Sequence, residues 1–238
     1  MPMKHTKRGF KIWTLACPKS HYLVNFQIYE GKNNNDKFAS LSLGEKTVMH
    51  LCEPFLEKAY CVYFDNFFSS FRLLSKLYDK NTFACGTFRT NRKNYPKELL
   101  ADEKVLKTGQ SDCAMSDDFS LAKRKDRGKK SVVVISSMHN PNVKETVLRT
   151  NKVGDRESVS CPASIYDYNK FMGAVDGFDQ LMASYPIEWK SRRWWIKLFY
   201  YFLNAAVTNS YIYKTAQKKN NVHAKPMSHL NFRSMLAN

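Results

Sequence analysis

The sequence predicts an α/β fold, a mixed sheet flanked by helices, on three observations. Its segments run strand, strand, helix, strand, helix, strand before any long helix appears. Two short apolar runs, residues 60–64 and 131–137, have the composition of strands covered on both faces. The 238 residues carry 43% hydrophobic and 14% aromatic side chains, enough for a sizeable core and too many for a disordered chain.

Residues 10–16 form the first predicted strand, weighted by Phe10, Ile12, Trp13 and Leu15 and broken by Cys17-Pro18-Lys19-Ser20. Residues 22–29 alternate apolar and polar and end in a Gly/Asn loop, so the two strands read as a hairpin. Val48, Leu51, Cys52 and Phe55 then repeat at helical spacing behind a Ser42/Glu45 capping box, with Pro54 ending or kinking the helix. The buried-type strand 60–64 stops at Asp65-Asn66. Ser69 or Ser70 caps a helix whose apolar face is Phe71, Leu74, Leu77 and Tyr78, and residues 82–88 are the next strand.

Residues 89–130 differ in kind, with 12 Lys/Arg and 7 Asp/Glu and few apolar runs, and read as a charged insertion. Strand composition returns at 131–137. Beyond Tyr166 the chain is helix-rich, and after Lys214 it reads as a fraying polar tail. The expected organisation is a first part over 1–88, an insertion over 89–164, a helical C-terminal part over 165–215 and a tail over 216–238.

The formal net charge of +17 attracts polyanions and makes nucleic acid the leading partner, although charge alone fits an undedicated basic surface equally well. The six cysteines contain no C-x-x-C pair and no Cys/His knuckle, so no zinc module is expected. No stretch approaches 18 uncharged apolar residues, and the basic N-terminus has no apolar run. A cytosolic or nuclear protein with reduced thiols and no membrane partner is expected.

Asp65 stands at the C-terminal end of a predicted buried strand, where sites form in open sheets and where a carboxylate can hold a hard cation. By composition alone, Asp-Asn is more often ordinary turn chemistry. Asp176 and Asp179 lie three apart and share a face if helical, so a cation or basic partner must offset their repulsion. A solvated helix start explains them as well. Lys190, Arg192 and Arg193 alternate with Trp194 and Trp195, a pattern suited to phosphate pairing and base stacking. Trp195, Leu198, Phe199 and Phe202 also meet helical core spacing, the preferred reading for the apolar members. Lys123, Arg124, Lys125, Arg127, Lys129 and Lys130 form the densest cationic patch, suited to a phosphate backbone, to a solvated turn or to a nuclear-import signal.

Taken together, these segments resemble the piggyBac-type transposases and their domesticated derivatives. The matching stretches are Lys7-Arg8-Gly9-Phe10-Lys11-Ile12-Trp13, Tyr63-Phe64-Asp65-Asn66-Phe67-Phe68-Ser69-Ser70, Gly86-Thr87-Phe88-Arg89-Thr90-Asn91-Arg92, Met172-Gly173-Ala174-Val175-Asp176-Gly177-Phe178-Asp179-Gln180 and Arg192-Arg193-Trp194-Trp195. They occur in family order over nearly the whole chain. The resemblance implies an RNase H-like domain interrupted by an insertion between the second and third catalytic carboxylates, with three Asp residues holding two Mg²⁺ ions for phosphodiester cleavage and strand transfer.

The resemblance puts Asp65 in the second place, Asp176 in the third and Asp179 beside it as a further acid. Its first Asp falls on Cys17, in Ala16-Cys17-Pro18-Lys19-Ser20-His21-Tyr22. A thiolate is a soft ligand and a poor match for Mg²⁺, so metal binding is expected to be weakened and cleavage impaired. His21 and Ala174 stand where the family usually has Gly, and the family's tryptophan near Arg124 is absent. The family's N-terminal dimerisation and DNA-binding region and its C-terminal zinc module are expected to be missing, which leaves a homodimer open. The expected function is a nuclear, DNA-binding transposase derivative impaired in cleavage. The alternatives are an active Mg²⁺-dependent transposase fragment, rescued by an acid such as Glu30 or by missing domains, and a non-catalytic interaction scaffold.

Overall fold

The computed structural model describes residues 9–31, 37–92, 95–116, 118–126, 130–150, 154–219 and 227–237. Its elements, in chain order, are β1 (Ile12–Ala16), β2 (Leu23–Ile28), α1 (Leu43–Cys52), β3 (Cys61–Phe64), α2 (Phe71–Tyr78), β4 (Phe83–Thr87), β5 (Ser111–Met115), β6 (Ser120–Arg124), β7 (Val132–Ser136), β8 (Lys144–Thr150), β9 (Arg156–Pro162), α3 (Ala163–Phe171), α4 (Ala174–Ser184), α5 (Trp194–Lys219) and α6 (His229–Ala237). They fall into two compact units, Glu30–Met172 and the pair of segments Met1–Tyr29 with Gly173–Asn238.

The Glu30–Met172 unit is built on a five-stranded sheet in the order β3-β4-β7-β6-β5. β3 and β4 run parallel, joined by α2, and the other neighbours are antiparallel. This is the mixed sheet with flanking helices that the segment order predicts. Leu73, Leu74 and Leu77 of α2 are fully buried, and the helix starts where the Ser70 hydroxyl accepts from the Leu73 N–H at 3.0 Å. The turn after it closes at Asn81, whose N–H donates to the Tyr78 carbonyl at 2.9 Å and whose φ of 46° is the left-handed conformation Asn tolerates.

The α1 cap is shared with the same region. Glu45 accepts from the Ser42 N–H at 2.7 Å and from the Ser70 hydroxyl, so one carboxylate holds the starts of two helices. Burial alone would raise the Glu45 pKa, but the Ser70 and Ser42 donors and the Arg72 charge bring it below the usual carboxylate value. A second core joins Cys85, Ala122, Val134, Cys161, Ile165 and Tyr168, packing α3 on the sheet and on β9. His139 bridges the Ser136 hydroxyl at 2.7 Å and Asp167 at 3.1 Å, tying the end of β7 to α3.

Two expectations change here. The 60–64 run is not covered on both faces: β3 is the edge of its sheet, with Cys61 exposed and Phe64 buried. The apolar run reflects one covered face and aromatic partners such as Phe171, whose ring lies 5.2 Å from that of Tyr63. The charged stretch 89–130 does not stand apart either. It supplies β5 and β6, which continue the sheet beyond β7. Its charge density hid β6, where Lys123 and Arg124 point inward.

In the other unit, β1 and β2 form the expected antiparallel hairpin, with a bulge at Leu15/Ala16. Asn209 of α5 reads the backbone of β2 on both sides. Its Oδ1 accepts from the Leu23 N–H and its Nδ2 donates to the Leu23 carbonyl, each at 2.9 Å. Leu23, Phe178, Met182, Ala205 and Ile212 close the core around that contact. The tail expected over 216–238 contains α6, with Phe232 and His229 buried. Arg233 secures it by donating to Asn204 at 2.7 Å, to Thr208 at 3.1 Å and to His229 at 2.9 Å.

Candidate nucleic-acid site

The turn after β1 carries the first of the predicted positions. The Cys17 N–H donates to the Tyr22 carbonyl and the His21 N–H to the Cys17 carbonyl, both at 2.8 Å, which closes the turn. Partial burial would raise the Cys17 thiol, but the Ser20 hydroxyl, the backbone of Lys19 and Ser20 and the Lys19 charge outweigh it and lower its pKa. His21 takes a φ of 61°, a left-handed conformation that Gly occupies without strain.

The imidazole of His21 lies on the start of α4, where its Nδ1 meets the Ala174 carbonyl at 3.3 Å and so carries the proton. A Cβ on Gly177 would stand 2.3 Å from that nitrogen, so the ring and Gly177 fit only as a pair. This joins the Cys17 turn to the helix bearing Asp176 and Asp179. Both carboxylates are exposed, three apart on α4 as predicted, with Asp176 in the first turn where the helix dipole favours an anion.

Asp65 belongs to the other unit. It is exposed at the end of β3, and its backbone makes the turn that its composition suggests, accepting from the Phe68 N–H at 3.0 Å and the Ser69 hydroxyl at 3.3 Å. Its carboxylate accepts from Thr87 Oγ1 at 3.2 Å, and that hydroxyl also meets Tyr168 Oη at 3.4 Å. Gly86 lets β4 pass beneath this loop, since a Cβ there would lie 2.6 Å from both the Phe64 ring and the Ser69 hydroxyl. Arg89 donates to the Asn66 side chain at 2.6 Å, and Arg92 to the carbonyls of Asn66 and Phe67 at 2.6 and 2.8 Å. Thr87, Arg89 and Arg92 are the residues that reading the sequence for site chemistry missed. Their signal is the Gly86-Thr87-Phe88-Arg89-Thr90-Asn91-Arg92 stretch, whose contacts to Asp65 and Asn66 are non-local.

The cationic candidates divide. Lys123 donates to the Ala101 carbonyl at 2.8 Å and sits 3.6 Å from Glu103, and Arg124 is buried near Asp126 at 4.0 Å, so neither presents its charge at the surface. Lys125 is half-buried and donates to the Glu103 carbonyl, and Lys130 is exposed. Arg127 and Lys129 lie outside the described residues. Lys190, Arg192 and Arg193 are exposed before or at the start of α5.

The aromatic stripe behaves differently from a core helix. Trp194 and Trp195 are 57% and 53% exposed and Phe199 is also exposed, while the buried seam of α5 begins at Asn204 and Ala205. Arg193 lies 5.9 Å over the Trp195 ring, and Phe10 lies 5.8 Å from Trp194. Core spacing holds for Leu198 and Phe202, which are half-buried, with the Phe202 ring 4.4 Å from that of Phe26, and fails for Trp195 and Phe199. Cations and indoles therefore share one surface, as nucleic-acid contacts require.

The profile of the family described as Transposase IS4 matches residues 1–211. The chain belongs to this family, the piggyBac-type transposases. It is 28% identical over 220 residues to PiggyBac transposable element-derived protein 2 of Homo sapiens, covering 87% of this chain and 36% of that one. It is 28% identical over 238 residues to PiggyBac transposable element-derived protein 3 of Homo sapiens, covering 97% of this chain and 38% of the relative. A solved piggyBac transposase, in a synaptic complex with hairpin DNA, superposes with a TM-score of 0.81 at 25% identity over 99% of this chain and 47% of its own. The chain thus spans a little over a third of the length of those human relatives.

DDE-type transposases normally use Mg²⁺. Cys17, in the turn after β1, is a soft sulfur donor, while Mg²⁺ demands hard oxygen donors at near-octahedral geometry. Among the described residues, no three His, Cys, Asp or Glu side chains form a group suited to a metal. No helix among them is long and apolar enough to cross a membrane.

Proposed function

We propose that the chain is a transposase-derived domain that holds DNA in the nucleus and is impaired in strand cleavage. The observation that carries this reading is the exposed start of α5, where Arg192 and Arg193 stand beside the open indoles of Trp194 and Trp195. Guanidinium groups pair phosphate oxygens bidentately, and indole faces accept unstacked bases without regard to sequence. Lys190 and the net charge of +17 add a sequence-independent attraction.

Cys17 supports the second half of the proposal. The cleavage chemistry of the family needs a hard ligand at that place, and a thiol there removes one of the three carboxylates. The carboxylates of Asp65, Asp176 and Asp179 remain as inherited positions. Neither binding through Arg192 and Arg193 nor stacking through Trp194 and Trp195 calls on them.

Fluorescence anisotropy of a labelled hairpin DNA against salt concentration tests the binding half. Log affinity should fall linearly with log salt. Replacing both Arg192 and Arg193 by Ala should reduce the slope by about two on duplex DNA, at about 0.9 per lost phosphate contact. A slope near zero for the unmodified chain would overturn the reading.

A further inference from the structure

We propose that the unit formed by Met1–Tyr29 and Gly173–Asn238 contains a pocket for one unpaired nucleobase that carries an exocyclic amine. The inference rests on the DNA-binding reading above and names what part of the DNA this surface takes. The site is a cleft of about 590 Å³ between β1, α4, the segment before α5 and the first turns of α5. That volume lies within the range of small-ligand pockets, which run from about 300 to 1,000 Å³.

Four aromatic rings line the cleft: Phe10, Trp189, Tyr200 and Tyr201. Apolar lining residues include Ile12 and Met182. Aromatic rings and apolar side chains around one cleft suit a planar heterocycle that has left its stack. Trp189 is 69% exposed, so its ring stands at the mouth, where an entering base meets it first.

The polar groups choose among planar ligands. Asp179 of α4 and Glu188 of the segment before α5 line the cleft, and Lys197 is among its lining residues. Carboxylates accept hydrogen bonds and repel phosphate, so a phosphate group does not occupy the interior. A base edge bearing an amine donates to them, as guanine, cytosine and adenine can. Thymine has no exocyclic amine and offers only its N3–H, flanked by two carbonyl oxygens that the carboxylates repel, so it is disfavoured. Lys197 supplies a cation for the phosphate attached to the base.

A cationic peptide side chain also suits aromatic walls and carboxylates. The surroundings select against it. Lys190, Arg192 and Arg193 lie next to the cleft in sequence and are exposed, and the whole chain is strongly basic, so a basic peptide is repelled on approach while a polyanion is drawn in.

Three labelled DNAs with one common stem test the proposal by anisotropy at fixed salt: a blunt duplex, a hairpin with a deoxycytidine loop and a hairpin with a thymidine loop. The deoxycytidine loop should bind about tenfold more tightly than the blunt duplex, the scale of one stacked base, and more tightly than the thymidine loop. Trp189→Ala should remove the preference of the deoxycytidine loop over the thymidine loop and weaken loop binding, with blunt-duplex binding unchanged. Trp189→Phe should keep it, and Glu188→Gln should erase only the discrimination between the two loops. Equal binding of loop and blunt DNA, or a preference that survives Trp189→Ala, would overturn the pocket while leaving DNA binding intact. Failure to bind any of the three would overturn the DNA reading itself. Saturable quenching of tryptophan fluorescence by oligolysine, with none by deoxycytidine monophosphate, would assign the cleft to a peptide instead.

Discussion

Cys17 and His21 are four residues apart in one turn, and both depart from what the family resemblance calls for at those places. The sequence shows each departure, but not that they act on one element. His21 reaches α4 through the Ala174 carbonyl and rests where Gly177 leaves room. Gly177→Ala would ordinarily gain about 1 kcal/mol of helix propensity. With His21 in place, the added methyl displaces the ring, and overpacking of this kind costs about 1–3 kcal/mol. Gly177→Ala should therefore lower the melting temperature of the unmodified chain but raise that of a His21→Gly background, and calorimetric melts of the four proteins read the sign. The same sign in both backgrounds would show that the two residues are uncoupled.

At the scale of elements, α6 depends on one protonation state. His229 Nε2 accepts from Arg233 Nε at 2.9 Å, and the ring is stacked on Tyr211 and edge-on to Tyr185. Burial, and then the Arg233 charge, lower the His229 pKa below its ordinary 6.5. The folded pKa lies below the unfolded one, so the neutral ring stabilises the fold. That contribution is complete above about pH 6.5 and is lost as pH falls from there toward the lower folded value. Unfolding followed by tryptophan fluorescence should show a decline in stability below pH 6.5 that His229→Gln removes. An undiminished decline in the variant would place the titrating group elsewhere.

Elements were legible in the sequence where periodicity and caps agreed. β1, β2, α2 and β4 have that agreement, and Ser70 caps α2 as its position suggests. β6 was not legible, because a strand with Lys123 and Arg124 facing inward has the composition of a solvated loop. α6 was missed for a related reason: its anchor is Arg233 bonded to Asn204 and Thr208, and a polar anchor leaves no apolar stripe to read. The start of α5 erred the other way. Its apolar spacing is genuine, but Trp195 and Phe199 stay open to the surface.

Over the whole molecule, the sequence carried the family through motifs spread in order along the chain, and the mixed sheet follows from the same order of segments. The positions of Asp65, Asp176 and Cys17 could be read from those motifs, whereas the contacts that hold them could not. Thr87 on Asp65, Arg89 and Arg92 on its loop and His21 on α4 all join residues more than twenty positions apart. Charge is a global property of a different kind. A net +17 favours association with DNA at any salt where screening is incomplete, but it contributes nothing to cleavage. On the proposed function, holding and cutting are therefore separable.

The central claim is that the chain binds DNA without efficient cleavage, and one gel assay tests it most directly. Labelled hairpin DNA is incubated with the unmodified chain and with Cys17→Asp, each with Mg²⁺ or with EDTA, and bound and cleaved fractions are measured on the same samples. The expected result is equal binding by the unmodified chain with and without Mg²⁺, no Mg²⁺-dependent product, and a gain of metal dependence in Cys17→Asp. Robust Mg²⁺-dependent cleavage by the unmodified chain would contradict it.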